Sequence, residues 1–464
     1  MSEISVVSLS LKTEKWQEDV LDKRFEICRQ IYNAMLGYEL KQYKKMISDE
    51  EFKKSKEVIY SAYKTTDDKE KKDIKKSDEY KQAVQKQKDL LKEYGFSNFS
   101  FGAQAIKSAD HFKDIIPTML AQLSIGKPMW QAFDKLLFGN GEIVHFKKYG
   151  SFNSIVTDGK SGIRIVSENN KTTKKMDSKE KYYCLYTSRL GKNLKMPLKI
   201  DHKDLYLLEM IERDIHTVRI TRKKVKGTYK YYVQLAVTGS PAIKYTNDGN
   251  ELHPLGSKKL GIYIDTTSIT IVDDESTKTI DITINNKIEG DISELNRYLD
   301  ASRRATNPEN FNDDGTIKKG IVVEGKRTHL NWEYSNSYKK ARDMRANLLR
   351  IQAEQRKIRA NELANEIIAR GCDICINDYP FQVAAMRKKF KEGEELDEKG
   401  RPKKKKKAGK AISENAPAMI VTILDNKLKN RGLQGVKKIK LSNIDYTKEH
   451  YREFYAAELY RTII

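Results

Sequence analysis

Cysteine is scarce in this sequence. Only four cysteines occur among 464 residues, Cys28, Cys184, Cys372 and Cys375, too few and too scattered for a disulfide framework in a chain of this size. The single CxxC, from Cys372 to Cys375, has no second CxxC or histidine pair near it and lies in an apolar run. We therefore interpret it as packing rather than as a zinc or redox site. A reducing compartment suits this composition.

Long apolar runs are also missing. No stretch approaches the ~18 to 20 apolar residues that a membrane helix needs. Residues 1–15 lack the apolar core of a signal peptide. The sequence therefore predicts a cytoplasmic protein without a membrane partner.

Acidic residues are outnumbered by basic ones. Lys and Arg total 88 against 65 Asp and Glu, which gives a net charge of +23 and a pI of about 9.4. Such an excess is typical of a polyanion binder. Nucleic acid is the predicted partner, with a ribosome-associated or membrane-surface role as the alternative. The apolar fraction of 38% is sufficient for real cores.

Hydrophobic patterning divides the chain into four stretches and predicts a multidomain α+β fold. In the first stretch, residues 1–15, positions 4–11 alternate apolar with small polar side chains in places, as in a half-buried strand. Residues 16–137 are helical in period and highly charged, residues 138–256 contain short strand-like runs, and residues 257–464 combine strands with long helices. The helical period is carried by apolar residues three or four apart, including Leu21, Phe25, Cys28, Tyr32, Met35 and Leu36.

The strand-like runs between 138 and 256 predict a small β-barrel. They lie at 162–166, 182–186, 217–221 and 229–237 and carry interleaved Lys and Tyr residues. Such a face suits RNA, because aromatic rings stack on bases while cations contact phosphates. Packing of the tyrosines within the module is the alternative.

The stretch from 257 onward predicts an RNase H-like α/β domain. Runs at 259–264 and 268–272 indicate a hairpin, and 279–284 indicates a third strand. A long helix is expected over 332–370, ended by Gly371 as its left-handed C′ residue. A buried strand at 374–377 follows, in an order that is familiar from RNase H-like folds.

Two segments of this stretch resemble the TnpB transposon nucleases, which are relatives of the type V CRISPR effectors. Residues 302–320 read SRRATNPENFNDDGTIKKG, and residues 409–428 contain GKAISENAPA followed by ILDNKL. The resemblance covers the chain from about residue 31 to 444. It implies a helical recognition domain over 16–137, an OB-like wedge barrel built from 1–15 and 138–256, and a RuvC-like domain over 257–464. It also implies two partners, a guide RNA and double-stranded target DNA that carries a short adjacent motif.

The positions that carry acids in this family are altered here. A RuvC-like site cuts with two divalent metals about 3.5 to 4 Å apart, held by converging carboxylates. The first acid is the Asp of a Gly-Ile-Asp-Ile-Gly strand, and Tyr263 occupies that position in Gly261-Ile-Tyr-Ile-Asp265. The second is a Glu that ends the later buried strand, and Asn377 occupies that position. A neutral phenol is a poor Mg²⁺ ligand, and a carboxamide brings no charge.

The third family acid has no counterpart either. In the family it lies on a helix that follows a zinc-binding pair of CxxC motifs, and no such pair occurs here. Arg452–Ala457 is a relic of that helix or an earlier one, so the resemblance implies a C-terminally truncated RuvC-like domain without a zinc finger. We expect no catalytic Mg²⁺ and no structural Zn²⁺. Asp265 shares a strand face with Tyr263, about 6.5 to 7 Å along, and is expected to be a turn residue rather than the centre of a rebuilt site.

Forms without these acids resemble the TnpB-like nuclease-dead repressors, the TldR proteins. The match implies RNA-guided, sequence-specific binding of double-stranded DNA without cleavage, in a bacterial cytoplasm and associated with the nucleoid. The chain is then not an enzyme, and it represses transcription by occupying a promoter. The alternatives are an RNA-guided endonuclease with a rearranged RuvC site, and a guide-free basic accessory protein of transposition. The sequence indicates no oligomeric state.

Candidate contacts to nucleic acid follow from charge and position. Thr118 and Gln122 are spaced i,i+4 on a helix just before the β-module, where family members read the adjacent motif. For each candidate phosphate contact, simple exposure to solvent is the alternative. These candidates are the basic residues Arg303, Arg304, Lys403, Lys404, Lys405, Lys406, Lys407 and Lys410.

Overall fold

The computed structural model of the protein contains two compact units, one of residues 1–223 and 229–242 and the other of residues 224–228 and 243–464. The structure describes residues 3–64, 68–139, 141–160, 162–168, 181–187, 193–201, 203–283, 287–320, 322–323, 326–381, 408–441 and 444–463. No helix within these ranges combines the length and the apolar character that a membrane span requires.

The first unit begins with a strand and is then largely helical up to residue 138. Its described helices are α1 (Lys15–Ser48), α2 (Glu50–Lys64), α3 (Asp68–Lys76), α4 (Asp78–Glu93), α5 (Asn98–Ser108), α6 (Thr118–Ala121), α7 (Lys127–Phe138) and α8 (Leu205–Glu212). Helix α1 starts where the side chain of Gln17 accepts a hydrogen bond from the Glu14 N–H at 3.0 Å. All six apolar residues that set the predicted period, from Leu21 to Leu36, are buried. The helical period is therefore confirmed.

An antiparallel sheet with strands of different lengths completes this unit. Its strands are β1 (Ile4–Leu11), β2 (Ser154–Thr157), β3 (Ile163–Ser167), β4 (Tyr182–Tyr186), β5 (Leu194–Lys199), β6 (Ile215–Val225) and β7 (Thr228–Thr238). They pair in the order β2-β6-β7-β1-β5-β4-β3. Within the described residues, no strand pairing joins the edge strands β2 and β3, so a closed barrel is not found. The barrel prediction is corrected to an open sheet.

One turn of π-helix, Gln122–Gly126, lies between α6 and α7. It directs Ser124 onto the edge strand β2, where the hydroxyl donates to the Val156 carbonyl at 3.1 Å and accepts from the Val156 N–H at 2.7 Å. Both edge groups of Val156 are thereby satisfied, as exposed strand edges require.

The second unit is built on a mixed sheet. Its strands are β8 (Lys258–Ile264), β9 (Ser268–Val272), β10 (Thr277–Asp281), β13 (Gly371–Asn377) and β14 (Lys437–Ile439), and a separate short ladder pairs β11 (Val322–Val323) with β12 (Lys326–Arg327). The sheet order is β10-β9-β8-β13-β14, in which the first three strands are antiparallel and β8, β13 and β14 are parallel. The carboxyl ends of β8 and β13 therefore lie side by side.

The second unit also contains helices. They are α9 (Lys287–Thr306), α10 (Asn336–Arg370), α11 (Gly409–Asn415), α12 (Pro417–Lys429) and α13 (Tyr451–Arg461). One buried cluster joins residues of α10 and α12 to the aliphatic side chains of the sheet. A second cluster joins α13 to Tyr263 and Val272. Helix α13 comes so close to β8 that a Cβ on Gly261 would lie 2.2 Å from the Ala456 carbonyl oxygen, so only glycine fits at that position.

Two details of the sequence interpretation differ in the structure. Helix α10 starts at Asn336 rather than near 332, because Ser335 caps it by accepting from the Tyr338 N–H at 3.1 Å. Gly371 does end the helix, but its φ of −169° is extended rather than left-handed. The glycine is needed for a different reason, since a Cβ there would lie 2.1 Å from the Lys258 carbonyl oxygen as the chain enters β13.

Candidate functional site

The ends of strands β8 and β13, which carry Tyr263 and Asn377, meet in this fold. Parallel pairing of β8 with β13 sets Ile262 opposite Ile376, which brings Tyr263 and Asn377 to one edge of the sheet. Both side chains are buried, Tyr263 with 1% of its surface exposed and Asn377 with 5%. The sequence prediction thus named two positions that the tertiary structure brings together.

Asn377 links the two strands through its side chain. Its Oδ1 accepts from the Ile264 N–H at 2.7 Å, and its Nδ2 donates to the Ile264 carbonyl at 2.9 Å. Both functional atoms of the carboxamide are therefore committed to one residue of β8. A carboxylate could replace only the first of these bonds, and its second oxygen would face the carbonyl oxygen of Ile264. The site thus suits an amide better than an acid.

Tyr263 lies in an aromatic cluster. The Tyr451 ring stands edge-on to it with 5.9 Å between centroids, and the Tyr455 ring lies 6.1 Å away. Burial raises the pKa of Tyr263, and the neighbouring phenols Tyr446 and Tyr451 raise it further. The Tyr263 hydroxyl finds no hydrogen-bond partner among the described residues. Burial therefore favours the neutral phenol.

Both carboxylate oxygens of Asp265 accept hydrogen bonds, one within a turn and the other from an arginine. Its Oδ1 accepts from the N–H groups of Thr267 and Ser268 at 2.7 and 2.8 Å, which fixes the turn between β8 and β9. Its Oδ2 accepts from Nε of Arg452 on α13 at 2.7 Å. The position matches the turn residue expected from the sequence. The arginine beside it could not be anticipated from local pattern.

These residues do not fit a pair of divalent metal ions. Such a pair needs several carboxylate oxygens directed at the ions. Here the Asp265 carboxylate is paired with Arg452, the amide of Asn377 bonds the backbone, and Tyr263 presents an aromatic ring. Over the part of the chain that the structure describes, no group of three or more His, Cys, Asp or Glu residues could hold a metal ion. No catalytic step through a metal can be derived from this arrangement.

Arg303 and Arg304 support a loop. Arg303 pairs with Asp300 at 2.9 Å, and its guanidinium lies 5.4 Å from the Trp332 ring. Arg304 donates to the Gly315 carbonyl at 2.8 Å and lies 5.1 Å from the Phe311 ring. Both arginines thus hold the chain that follows α9, and Arg304 remains exposed. Contact with nucleic acid stays a prediction for both.

The same loop explains why its asparagines are buried. Asn307 is fully buried, donates to the Glu333 carbonyl at 2.9 Å and accepts from the Glu333 N–H at 2.6 Å. Asn310 donates to the Asn331 carbonyl at 2.5 Å. The segment that carries the family resemblance therefore contains structural side chains alongside its basic ones.

The remaining predicted contacts are dispersed. Lys410 is exposed and pairs with Glu289 at 2.8 Å and with Glu414 at 3.5 Å. The basic run 403–407 lies outside the described residues. Thr118 is exposed at the start of α6, whereas Gln122 is half-buried, begins the π turn and packs near Gly102. Thr118 also lines a cleft of about 440 Å³. The reading of an adjacent motif by these two residues stays a prediction.

Sequence reasoning missed the aromatic and cationic contribution of α13. Tyr451, Arg452 and Tyr455 direct two rings toward Tyr263 and a guanidinium toward Asp265. The i,i+4 spacing of the two tyrosines was a visible signal for one helix face. What that face would contact was not visible.

Comparison with known proteins gives matches among solved structures. No family model matches the chain, and no curated protein matches it. Among solved structures, a Cas12f1–sgRNA–target DNA complex determined by cryo-EM is similar with a TM-score of 0.39 and 11% identity, over 99% of this chain and 98% of that chain. A complex of a Cas12i variant with crRNA and dsDNA is similar with a TM-score of 0.25 and 9% identity, over 92% of this chain and 56% of that chain.

Proposed function

We propose that this protein binds double-stranded DNA under the direction of a guide RNA, does not cut it, and represses transcription by occupying a promoter. The observation that carries the absence of cleavage is the bonding of Asn377. Both atoms of its carboxamide are used by Ile264 at the position where the family has a metal-binding acid.

The family assignment within this proposal rests on sequence segments and on strand order. Residues 302–320 and 409–428 carry the resemblance to the TnpB nucleases. The order β10-β9-β8-β13-β14, with three antiparallel strands followed by two parallel ones, agrees with an RNase H-like domain. In this proposal, Tyr263 and Asn377, at the adjacent ends of β8 and β13, correspond to the positions where a nuclease of this type holds its metals.

Electrostatics supports binding without chemistry. A net charge of +23 attracts polyanions and accelerates their association. At the strand ends, the charge of Asp265 is balanced by Arg452 at 2.7 Å, so this site offers no excess negative charge for two dications. Sequence recognition is assigned to guide pairing, and the protein contacts backbone shape and a short adjacent motif. A protein that holds opened DNA at a promoter blocks polymerase by occupancy.

The experiment that tests this proposal has three measurements. RNA that copurifies with the protein is sequenced, target DNA matched to that RNA is incubated with the complex and Mg²⁺ or Mn²⁺, and a promoter reporter is measured with matched and mismatched guides. We expect one defined RNA, intact DNA, and repression with the matched guide only.

Each rival function predicts a different result. An endonuclease with a rearranged site would cut matched DNA in a metal-dependent way. A guide-free accessory protein would copurify with a heterogeneous RNA pool that reflects cellular abundance, and its repression would not depend on the guide. Either result would overturn the proposal.

A further inference from the structure

A cleft of about 410 Å³ lies in the first unit, where helix α1 meets strands β6 and β7. Its volume falls in the range of roughly 300 to 1,000 Å³ that small-molecule sites occupy. The residues that give it chemical character are Asp22, Lys23, Glu26, Tyr149, Arg222 and Tyr229. None of them belongs to the candidate site at the end of β8.

Asp22 is a fixed acceptor in this cleft. Its Oδ1 accepts from Nη1 of Arg222 and from the Tyr231 hydroxyl, the latter at 2.6 Å. Arg222 is itself buried and also bonds Asn153 and the Phe152 carbonyl, at 2.9 and 3.2 Å. The Asp22 carboxylate is therefore held in one orientation. No described residue donates to its Oδ2, and 37% of the side chain is exposed.

Glu26 is already committed to its neighbours. Its Oε1 accepts from Nε and Nη2 of Arg29 at 2.7 and 2.6 Å. The hydrogen bond from Arg29 lowers the pKa of Glu26, so this carboxylate stays ionised and paired. Oδ2 of Asp22 is therefore an acceptor in this cleft to which no described residue donates.

Two tyrosines line the same cleft as this acceptor. Tyr229 lies with its ring 4.3 Å from the Arg222 guanidinium, and its hydroxyl donates to the Gly150 carbonyl at 3.4 Å. Tyr149 is 85% exposed and precedes Gly150, whose φ of +71° places it in the left-handed region. An exposed aromatic ring beside a fixed acceptor offers a stacking surface for a flat heterocycle. Lys23 provides an exposed cation at the rim.

We propose that this cleft binds one unpaired nucleobase that carries an exocyclic amino group, from a nucleic acid strand bound by the protein. The base stacks on Tyr149, its amino group donates to Oδ2 of Asp22, and Lys23 contacts the attached phosphate. Adenine, cytosine and guanine have such an amino group. Uracil and thymine present carbonyl oxygens in its place, which the carboxylate repels. This inference rests on one part of the proposed function, namely that the protein binds nucleic acid.

The test uses the full-length protein, freed of bound RNA by high salt, and six-nucleotide RNAs of a single base. Fluorescence anisotropy measures their affinities. We expect the adenine and cytosine oligonucleotides to bind about tenfold more tightly than uracil. The matching deoxyadenosine and deoxycytidine oligonucleotides show whether the sugar contributes. Equal affinity for the adenine, cytosine and uracil RNAs would overturn the base-reading role of Asp22.

Asp22→Asn is the decisive variant. The new carboxamide keeps an oxygen for Arg222 and Tyr231, but it presents an N–H₂ donor to the cleft. The preference should therefore invert toward uracil, whose carbonyl oxygen accepts that donor. A folded variant, checked by circular dichroism, that retains the wild-type ranking of bases would refute the proposal.

A second variant does not depend on the buried pair. Tyr149→Leu removes an exposed ring. It should weaken the binding of every oligonucleotide about tenfold without changing the ranking of the bases. Tyr245→Leu, which removes a ring that is 54% exposed in the other unit, is the matched control and should leave affinity unchanged. Equal effects of the two variants would exclude stacking on Tyr149. Because the oligonucleotides are supplied, these results stand apart from whether a defined guide RNA copurifies.

Discussion

The side chain of Asn377 and the backbone of Ile264 form a reciprocal pair of hydrogen bonds, 2.7 Å at the N–H and 2.9 Å at the carbonyl. This pair joins strands β8 and β13 where the family places a metal-binding acid. The carboxamide supplies one acceptor and one donor, which is what the ends of two adjacent strands require. Loss of this carboxamide should therefore first lower the stability of the fold.

Asn377→Asp should destabilise the second unit by about 2 to 4 kcal/mol at neutral pH, because the variant loses a donor and places a buried carboxylate against a carbonyl oxygen. Urea unfolding monitored by circular dichroism measures this. The deficit should shrink at acidic pH, where the new carboxyl group protonates. Asn247→Asp, at an exposed position, is the control and should change stability little. An Asn377→Asp variant as stable as this control would contradict the structural role.

Tyr263→Phe should be neutral or stabilising by up to about 1 kcal/mol. Among the residues that the structure describes, the buried phenol hydroxyl has no hydrogen-bond partner, and removing an unsatisfied polar group relieves its desolvation cost. Tyr455→Phe is the matched comparison, because the Tyr455 hydroxyl accepts from the Asp445 N–H at 2.8 Å, and its loss should cost stability. Thermal unfolding of both variants distinguishes them. A larger loss for Tyr263→Phe than for Tyr455→Phe would show a hidden partner of the Tyr263 hydroxyl.

Arg452 and Asp265 should be energetically coupled. The pair is partly shielded, with 37% of the Arg452 side chain and 12% of the Asp265 side chain exposed. We expect a coupling energy of about 1 to 2 kcal/mol in a double-mutant cycle of Arg452→Gln and Asp265→Asn. Arg461→Gln, exposed at the end of the same helix, should show no coupling to Asp265→Asn. Additive effects of the first pair would mean that the contact contributes nothing to the docking of α13.

Restoring two family acids should not restore cutting. Tyr263→Asp with Asn377→Glu returns two carboxylates, yet Arg452 remains beside Asp265 and no third acid is supplied. Gel analysis of matched target DNA with Mg²⁺ or Mn²⁺ should show intact DNA for wild type and for the double variant. DNA binding by the variant should hardly change, provided that it folds.

Asp265→Ala is the control for a rebuilt active site. If wild type nicks DNA and Asp265→Ala does not, the site has been rearranged around Asp265, and the assignment of a protein without nuclease activity is wrong. If neither cuts while a matched guide represses a reporter, occupancy alone accounts for repression.

The stability of the folded protein should decrease as pH rises, because of Glu39. Burial raises the pKa of this carboxyl group from 4.5 to about 7 in the folded protein. The folded state then binds the proton more tightly than the unfolded state, so its contribution is fully present below pH 4.5 and is lost as pH rises toward 7. Glu39→Gln should therefore be more stable than wild type at pH 8, by about 1 to 3 kcal/mol, and similar to it at pH 4.

Urea midpoints between pH 4 and pH 8 test this sign. Glu57→Gln, at an exposed position on α2, is the matched control and should follow the wild-type curve. If the Glu39→Gln curve keeps the wild-type slope across this interval, then Glu39 is ionised in the folded protein at neutral pH.

Some elements could be predicted because their signal is local. The apolar runs at 259–264, 268–272 and 374–377 lie within strands of the second unit, and the helical period of α1 appears as predicted. Alternation and 3.6-residue periodicity report burial of one face, which needs no knowledge of what lies opposite. Closure of a barrel could not be predicted from such local patterns, because they do not specify which strand edges pair. The described strands form an open sheet.

The sequence by itself determined that a tyrosine and an asparagine, Tyr263 and Asn377, stand at the positions that the resemblance to the TnpB nucleases aligns with acids, and that basic charge dominates the chain. Only the tertiary structure decided what those side chains contact. Asn377 meets Ile264 across 113 residues of chain, and Arg452 meets Asp265 across 187. Such contacts depend on strand order and on where α13 docks. These are set by the packing of distant apolar faces, so no local pattern carries them.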